Sequence, residues 1–326
     1  MGRMHANEAL IDDELVLRLV AGQFPRWSGL AVAEIPSSGT VNAMYRLGDS
    51  LTVRLPRIAG GVPDIEKEFE WLPRLAPLLP VRIPTPVALG EPADGYPWPW
   101  LVQEWIPGSI AVAGEVREPV GLAEDLAGFV RAMRSIDAPA RAGGEGTAGP
   151  SRASAAGTDV PDGLGGEGIE APAAYRGGPL SSQDEETRKA LVQLEGWIDT
   201  GTALAAWESA LAVAPASSPC WVHADLMPSN LLVTDGGRLA AVIDFATAGV
   251  GDPACDLIPA WNLLPAAGRE VYREALGVDD DAWVRGRGRA LSMALIQLPY
   301  YRDTNPGIAA NAQHVINEVL ADFTAR

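Results

Sequence analysis

The sequence predicts an α+β fold in two lobes, a β-rich first lobe over residues 1–105 and a mainly helical second lobe over residues 106–326. Three observations carry this prediction. The chain has 326 residues, more than one hydrophobic core usually serves. Short β-prone runs separated by small-residue turns crowd its first hundred residues. Beyond Pro119, apolar residues recur at helical spacing, interrupted by a Gly-, Ala- and Ser-rich stretch at about 138–178.

The elements follow in order. Asn7 to Gln23 carries Leu10, Ile11, Leu15, Leu17, Leu19 and Val20 among acids, the pattern of an amphipathic helix. Leu30–Ile35, Ala43–Leu47 and Leu51–Leu55 read as strands, the last two joined at Gly48-Asp49-Ser50. Between the first two lies Ser37 to Asn42, a small-residue turn. Such a turn can cover nucleotide phosphates with its backbone N–H groups, and it is equally an ordinary hairpin turn. A helix over Asp64–Leu72 and strands over Pro84–Gly90 and Trp98–Trp105 complete the small lobe. In Pro119–Ile136, Leu122, Leu126, Phe129, Val130 and Met133 fall on one helical face. The stretch at 138–178 has no apolar face to bury and reads as a loosely packed insertion. Helical character returns at Ser181–Trp197, Thr202–Val213, Asp256–Leu264, Arg269–Leu276, Asp279–Gln297 and Asn305–Phe323.

The chemistry concentrates between Trp221 and Leu257. An apolar run leads into His223-Ala224-Asp225, and Asn230 follows five residues after the acid. Two β-prone runs, Asn230–Thr234 and Arg238–Ile243, flank the turn signal Asp235-Gly236-Gly237, and the second ends at Asp244-Phe245. A strand that stops on an acid can turn its carboxylate toward a ligand. Asp225, Asn230 and Asp244 thus offer oxygen donors suited to a hard cation such as Mg²⁺. Phosphoryl transfer requires such a metal site plus a further acid to orient the attacking hydroxyl. Any one of these residues alone would read equally well as a turn former.

The ordered set resembles the aminoglycoside phosphotransferase family, whose motifs run H-G-D-x-x-x-x-N, I-D-F and G-D-P-x-x-D-L. Here they read His223-Ala224-Asp225 to Asn230, Ile243-Asp244-Phe245, and Gly251-Asp252-Pro253 to Asp256-Leu257. Ala224, Met227 and Ser229 depart from the usual Gly, His and Gly. The resemblance implies a protein-kinase-like fold and transfer of the γ-phosphate of ATP or GTP to a hydroxyl. Asp225 would be the catalytic acid, with Mg²⁺ on Asn230 and Asp244. Arg54, in Leu51–Pro56, would stand where kinases carry a phosphate-binding Lys, with Glu68 as its partner and Glu66 and Glu70 as rivals. Gly39 and Asn42 would cover the phosphates. Glu104, Trp105 and Ile106 would form the hinge that reads the base through main-chain groups. Acidic and aromatic groups of the helical lobe, Asp256, Trp261, Tyr300 and Asp303, would hold the acceptor, while Asp252 serves equally as a helix cap. An aminoglycoside is the acceptor the family name suggests. A macrolide, a sugar or an amino alcohol is the alternative, and a nucleotide-binding pseudokinase is the non-enzymatic reading.

Composition narrows the partners. A net charge of −17 argues against nucleic acid and anionic membrane, and is compatible with a cationic small molecule. No apolar run approaches the roughly 20 residues of a membrane helix, and the first residues lack a signal-peptide core, so the cytoplasm is expected. Cys220 and Cys255 are the only cysteines and read as buried thiols, with a disulfide left open. His5, His223 and His314 share no metal-ligand spacing.

Overall fold

The computed structural model describes residues 9–35, 41–137 and 171–325. The first lobe is a five-stranded antiparallel sheet of β1 (Val32–Glu34), β2 (Asn42–Leu47), β3 (Leu51–Pro56), β4 (Pro86–Gly90) and β5 (Trp100–Glu104), in the order β1-β2-β3-β5-β4. β2 and β3 pair from Leu47↔Leu51 to Asn42↔Pro56, closing at Gly48, whose φ of 58° suits a residue without Cβ. β2 alternates half-buried and buried positions, whereas central β3 is buried throughout. Arg54 therefore leaves the sheet from its most enclosed strand. α1 (Asp13–Gln23) starts later than the sequence pattern suggests because Asp12 caps it, accepting from the Leu15 N–H at 2.8 Å. Its Leu15, Val16, Leu19 and Val20 pack with Tyr45, Val53, Leu55 and Trp100 in the small lobe's core.

α2 (Val62–Leu75) buries Ile65, Glu68, Leu72 and Leu75, residues spaced as one helical face. That spacing separates Glu68 from Glu66 and Glu70. A short β6 (Ser109–Ile110) joins β8 (Leu231–Val233) and β9 (Leu239–Val242) in a second sheet, ordered β6-β8-β9. β7 (Cys220–Val222) pairs antiparallel with β10 (Gly249–Gly251). These three-residue strands bracket the stretch from His223 to Asp244. The β8–β9 hairpin falls where its turn signal lies, while β10 has no sequence signal long enough to predict it.

The helical lobe contains α3 (Pro119–Ser135), α4 (Asp184–Gln193), α5 (Thr200–Leu211), α6 (Pro259–Asn262), α7 (Ala266–Leu276), α8 (Asp280–Tyr301) and α9 (Pro306–Thr324). One core unites them around Phe129, Trp207, Trp221, Trp261 and Trp283. The helix expected over Asp256–Leu264 is broken, a 3₁₀ turn at Pro253–Leu257 followed by the single turn of α6, because Pro253 and Pro259 each start a new turn. α8 runs four residues past its expected end with Pro299 inside it. No helix among the described residues is long and apolar enough to cross a membrane.

The end of the glycine-rich stretch is not loose. Ala171 and Ala174 are buried, Ala174 N–H donates to Val250 O at 3.1 Å, and Tyr175 N–H to Thr247 O at 3.1 Å. Residues 171–178 are laid against β10, whose free edge supplies the hydrogen bonds that composition could not forecast.

Candidate active site

The small lobe contributes a buried cation. Arg54 Nη1 bonds both Glu68 carboxylate oxygens, at 2.8 and 2.6 Å, and Nη2 reaches Asp244 Oδ1 at 3.2 Å. Arg54 and Glu68 side chains are 7% and 1% exposed, so each makes the other tolerable away from water. Burial works against the Arg54 charge, and Glu68 and Asp244 more than offset it, holding its pKa above the ordinary value. Glu68 is raised by burial against the pull of Arg54. The Asn42 amide, oriented with its oxygen toward Arg54, accepts from Nε at 3.1 Å and Nη2 at 2.9 Å. Asn42 thus meets the guanidinium rather than open space above the sheet. Gly39 lies outside the described residues.

The loop after β7 presents the acid. His223 is fully buried; its Nε2 faces Ile243 O at 3.2 Å while Nδ1 accepts from the Asp225 N–H at 3.3 Å. Burial pushes His223 down to about 4, so it is a neutral strut. Ala224 has φ of 65°, a left-handed conformation in which a Cβ costs about 1–2 kcal/mol. Asp256 holds this loop: its carboxylate accepts from the N–H groups of His223 (2.9 Å) and Ala224 (2.8 Å). Asp256 is fully buried and pushed up to about 6 by that burial.

Asp225 lies half-buried at the end of the loop. Asn230 Nδ2 donates to its Oδ2 at 3.1 Å and to its main-chain O at 2.9 Å. With its amino group turned inward, Asn230 keeps its Oδ1 for another partner. Ile243 N–H donates to Asn230 O at 2.9 Å, which ties Asn230 to the strand end that carries Asp244. Asp244, with φ of 62°, leaves that strand in a left-handed turn, and its side chain is 45% exposed. One oxygen takes Arg54, and among the described residues the other has no hydrogen-bond partner. The Asn230 and Asp244 oxygens are hard donors that fit Mg²⁺, an ion usually bound through one or two carboxylates with phosphates completing its shell. Among the described residues no group of three His, Cys, Asp or Glu is placed to hold a metal ion.

A residue with no part in the sequence reading completes the site. Arg176 Nη1 donates to Asp225 Oδ1 at 2.8 Å, so the acid lies between a guanidinium and an amide. Burial raises Asp225 above the usual carboxylate range, and Arg176 opposes that rise. Sequence held one faint signal: Tyr175-Arg176 contains the only aromatic residue of the 138–178 stretch.

The remaining expectations divide. Ile106 is buried, and the N–H groups of Glu104 and Trp105 are already donated to Thr85 O (2.9 Å) and Ser50 O (2.8 Å). Of the three, only the Ile106 N–H has no main-chain acceptor among the described residues. Asp256 and Trp261 are corrected as acceptor contacts. Asp256 is spent on backbone N–H groups, and Trp261 is wholly buried with its ring 4.7 Å from that of Trp283. Tyr300 and Asp303 are exposed at the end of α8, beside Tyr301 and Arg302, and Arg302 lies over Trp197. Among the described residues neither contacts the Asp225 cluster. Cys220 and Cys255 are free thiols, pushed up by burial to about 11 and about 12.

Comparison with known proteins adds the relatives. The sequence pattern of the phosphotransferase enzyme family matches residues 32–291. Among solved structures, the GDP and kanamycin complex of APH(2")-IIia superposes with a TM-score of 0.67 at 18% identity, covering 94% of this chain and 99% of that one. The streptomycin–ATP ternary complex of APH(2")-IIa gives 0.56 at 15%, covering 98% of each chain. The macrolide 2'-phosphotransferase of Brachybacterium faecium gives 0.56 at 21%, covering 94% of this chain and 98% of that one. At these identities the likeness speaks for the fold. No curated protein matches the chain by sequence.

Proposed function

The chain belongs to the phosphotransferase enzyme family, and from that premise we propose that it moves the γ-phosphoryl group of a nucleoside triphosphate to a hydroxyl of a small molecule. The observation that carries this reading is the convergence of Asp225, Asn230, Asp244 and Arg54, from two lobes, in one cluster whose Asp244 side chain is 45% exposed. Asp225 receives the acceptor hydroxyl on a carboxylate oxygen and sets its angle of attack. Arg54, prised from Asp244 by the nucleotide, places its charge on the phosphates while Glu68 keeps it in register. Asn230 and Asp244 would hold Mg²⁺ through their side-chain oxygens. When bound, the ion neutralises charge on the transferring phosphates. Ile106 reads the base.

A second reading makes the acceptor an aminoglycoside. Kanamycin and streptomycin are bound by the APH(2") relatives, and the net charge of −17 suits a polycation. The macrolide enzyme among the relatives keeps that alternative in the same test.

The test is nucleotide-dependent phosphorylation of a panel of aminoglycosides, macrolides, sugars and amino alcohols, read by mass spectrometry. Asp225→Asn should lower kcat by at least ~10²-fold, the lower range of what a positioned acid or base supplies. Full turnover in that variant would refute the assignment of Asp225.

A further inference from the structure

Arg176 is built into the site. Its carbonyl accepts from Arg289 Nη1 at 2.6 Å and from Cys255 Sγ at 3.2 Å. Arg289 Nη2 also holds Gly178 O at 2.6 Å, and the Asp252 N–H donates to Gly177 O at 3.0 Å. Arg289 is in turn fixed by Asp252 Oδ2 at 3.0 Å, which also accepts from Arg285 Nε at 3.2 Å. Gly177 lies so close to Gly251 that a Cβ on it would stand 2.8 Å from the Gly251 Cα. The backbone on both sides of Arg176 is therefore clamped, and only its side chain has freedom.

That side chain stands where an acceptor must come. A hydroxyl oriented by Asp225 lies within a few Å of the guanidinium, because Nη1 is already 2.8 Å from the same carboxylate. Nη1 also touches Met293 Sδ at 3.7 Å, and among the described residues Nε and Nη2 have no hydrogen-bond partner. The side chain is 29% exposed, enough to present those donors outward. A planar fork with free donors matches a carboxylate or phosphate, and it repels an ammonium.

We propose that Arg176 selects the acceptor, its guanidinium fork receiving a carboxylate or phosphate group carried close to the hydroxyl that Asp225 orients. The inference rests on the phosphoryl-transfer reading above and gives that reading a substrate class, an acidic hydroxy compound. The acidity of the whole chain points toward cations, but what meets the reacting hydroxyl is the local charge, since the far field is screened within about 10 Å.

The experiment compares matched acceptors on two scaffolds with MgATP: glycerol, glycerate, glycerol phosphate and 3-amino-1,2-propanediol, and glucose, gluconate, glucose 6-phosphate and glucosamine. kcat/KM is measured for the native protein and for Arg176→Gln, Arg176→Lys and Arg176→Glu, each first checked for an unchanged unfolding transition. Acidic members should exceed their neutral and cationic partners by ~10-fold or more, the factor a charge-assisted hydrogen bond supplies. Arg176→Gln should erase that ratio mainly through KM, Arg176→Lys should restore part of it, and Arg176→Glu should turn it toward the amines. The carboxylate and phosphate arms tell which acid the fork accepts. The proposal is overturned by equal use of all members, by preference for the amines, or by an Arg176→Gln loss of kcat that is uniform across the panel. Failure of every acidic member while MgATP is still hydrolysed by water overturns the proposal alone. Absence of hydrolysis and of any MgATP effect on melting overturns the phosphoryl-transfer reading with it.

Discussion

His223 and Asp256 are both buried beside the loop that carries Asp225, and burial shifts them in opposite senses. His223 falls from 6.5 to about 4. As pH drops through that window the unfolded chain takes up a proton that the folded site refuses, so stability is lost. Asp256 rises from 3.8 to about 6, so between those values the folded state takes up a proton that the unfolded chain refuses, and stability is gained. Each is worth on the order of 3 kcal/mol across its window, and below about pH 6 they largely cancel. The stability gap between the native protein and Asp256→Asn should therefore widen as pH falls from 6 to 4. Urea midpoints at each pH measure it, and a gap that stays constant would show that Asp256 does not titrate there. Ala224 is a smaller matter. Its left-handed φ costs about 1–2 kcal/mol, but its methyl is buried against Ala174, Val222 and Cys255, worth about 0.8 kcal/mol. Its departure from Gly therefore leaves a net cost of at most about 1 kcal/mol, too small to mark a decayed site.

At the scale of elements, the candidate site depends on how α2, β3 and the segment 171–178 are docked. α2 holds Arg54 through Glu68, and its Lys67 donates to Ala246 O and Ala248 O just beyond Asp244. One helix thereby registers both Arg54, the proposed phosphate-binding cation, and the loop of Asp244, the proposed metal holder. Removing one partner of a buried ion pair costs about 3–5 kcal/mol. Glu68→Gln should come at the low end, about 3 kcal/mol, because Asn42 and Asp244 still accept from Arg54. Chemical denaturation gives the loss, and nucleotide KM should rise with it. A loss below 1 kcal/mol would mean that the pair does not carry this contact. In the sequence Glu68 stood out only by resemblance to the family, and the structure separates it from Glu66 and Glu70 because it shares a buried helical face with Ile65, Leu72 and Leu75. The docking of 171–178 was not legible in the sequence, since it rests on main-chain bonds to β10 that do not depend on side-chain type.

Across the whole molecule, the site exists only where the lobes face each other. Arg54 and Asn42 belong to the sheet lobe, whereas Asp225, Asn230 and Asp244 belong to the other, and the Arg54–Asp244 pair bridges them at 3.2 Å. A nucleotide with Mg²⁺ should replace that pair with contacts to both lobes. At a hundred times its Kd, a ligand of the folded state adds about 2.7 kcal/mol, or on the order of 5 °C in Tm for a chain of this size. Calorimetry with MgATP, MgGTP and nucleotide without metal measures it. A shift that is identical without Mg²⁺ would remove Asn230 and Asp244 from the role of metal holders.

The sequence by itself determined the lobe order, the helical faces and the spacing of Asp225, Asn230 and Asp244. These rest on local periodicity and on a loop and hairpin short enough to keep neighbours together. Only the tertiary structure decided that Asp256 and Trp261 face inward, that Asn42 is spent on Arg54, and that Arg176 meets Asp225 from 49 residues earlier in the chain. Such contacts arise from the packing of distant segments, and no spacing along the chain records them.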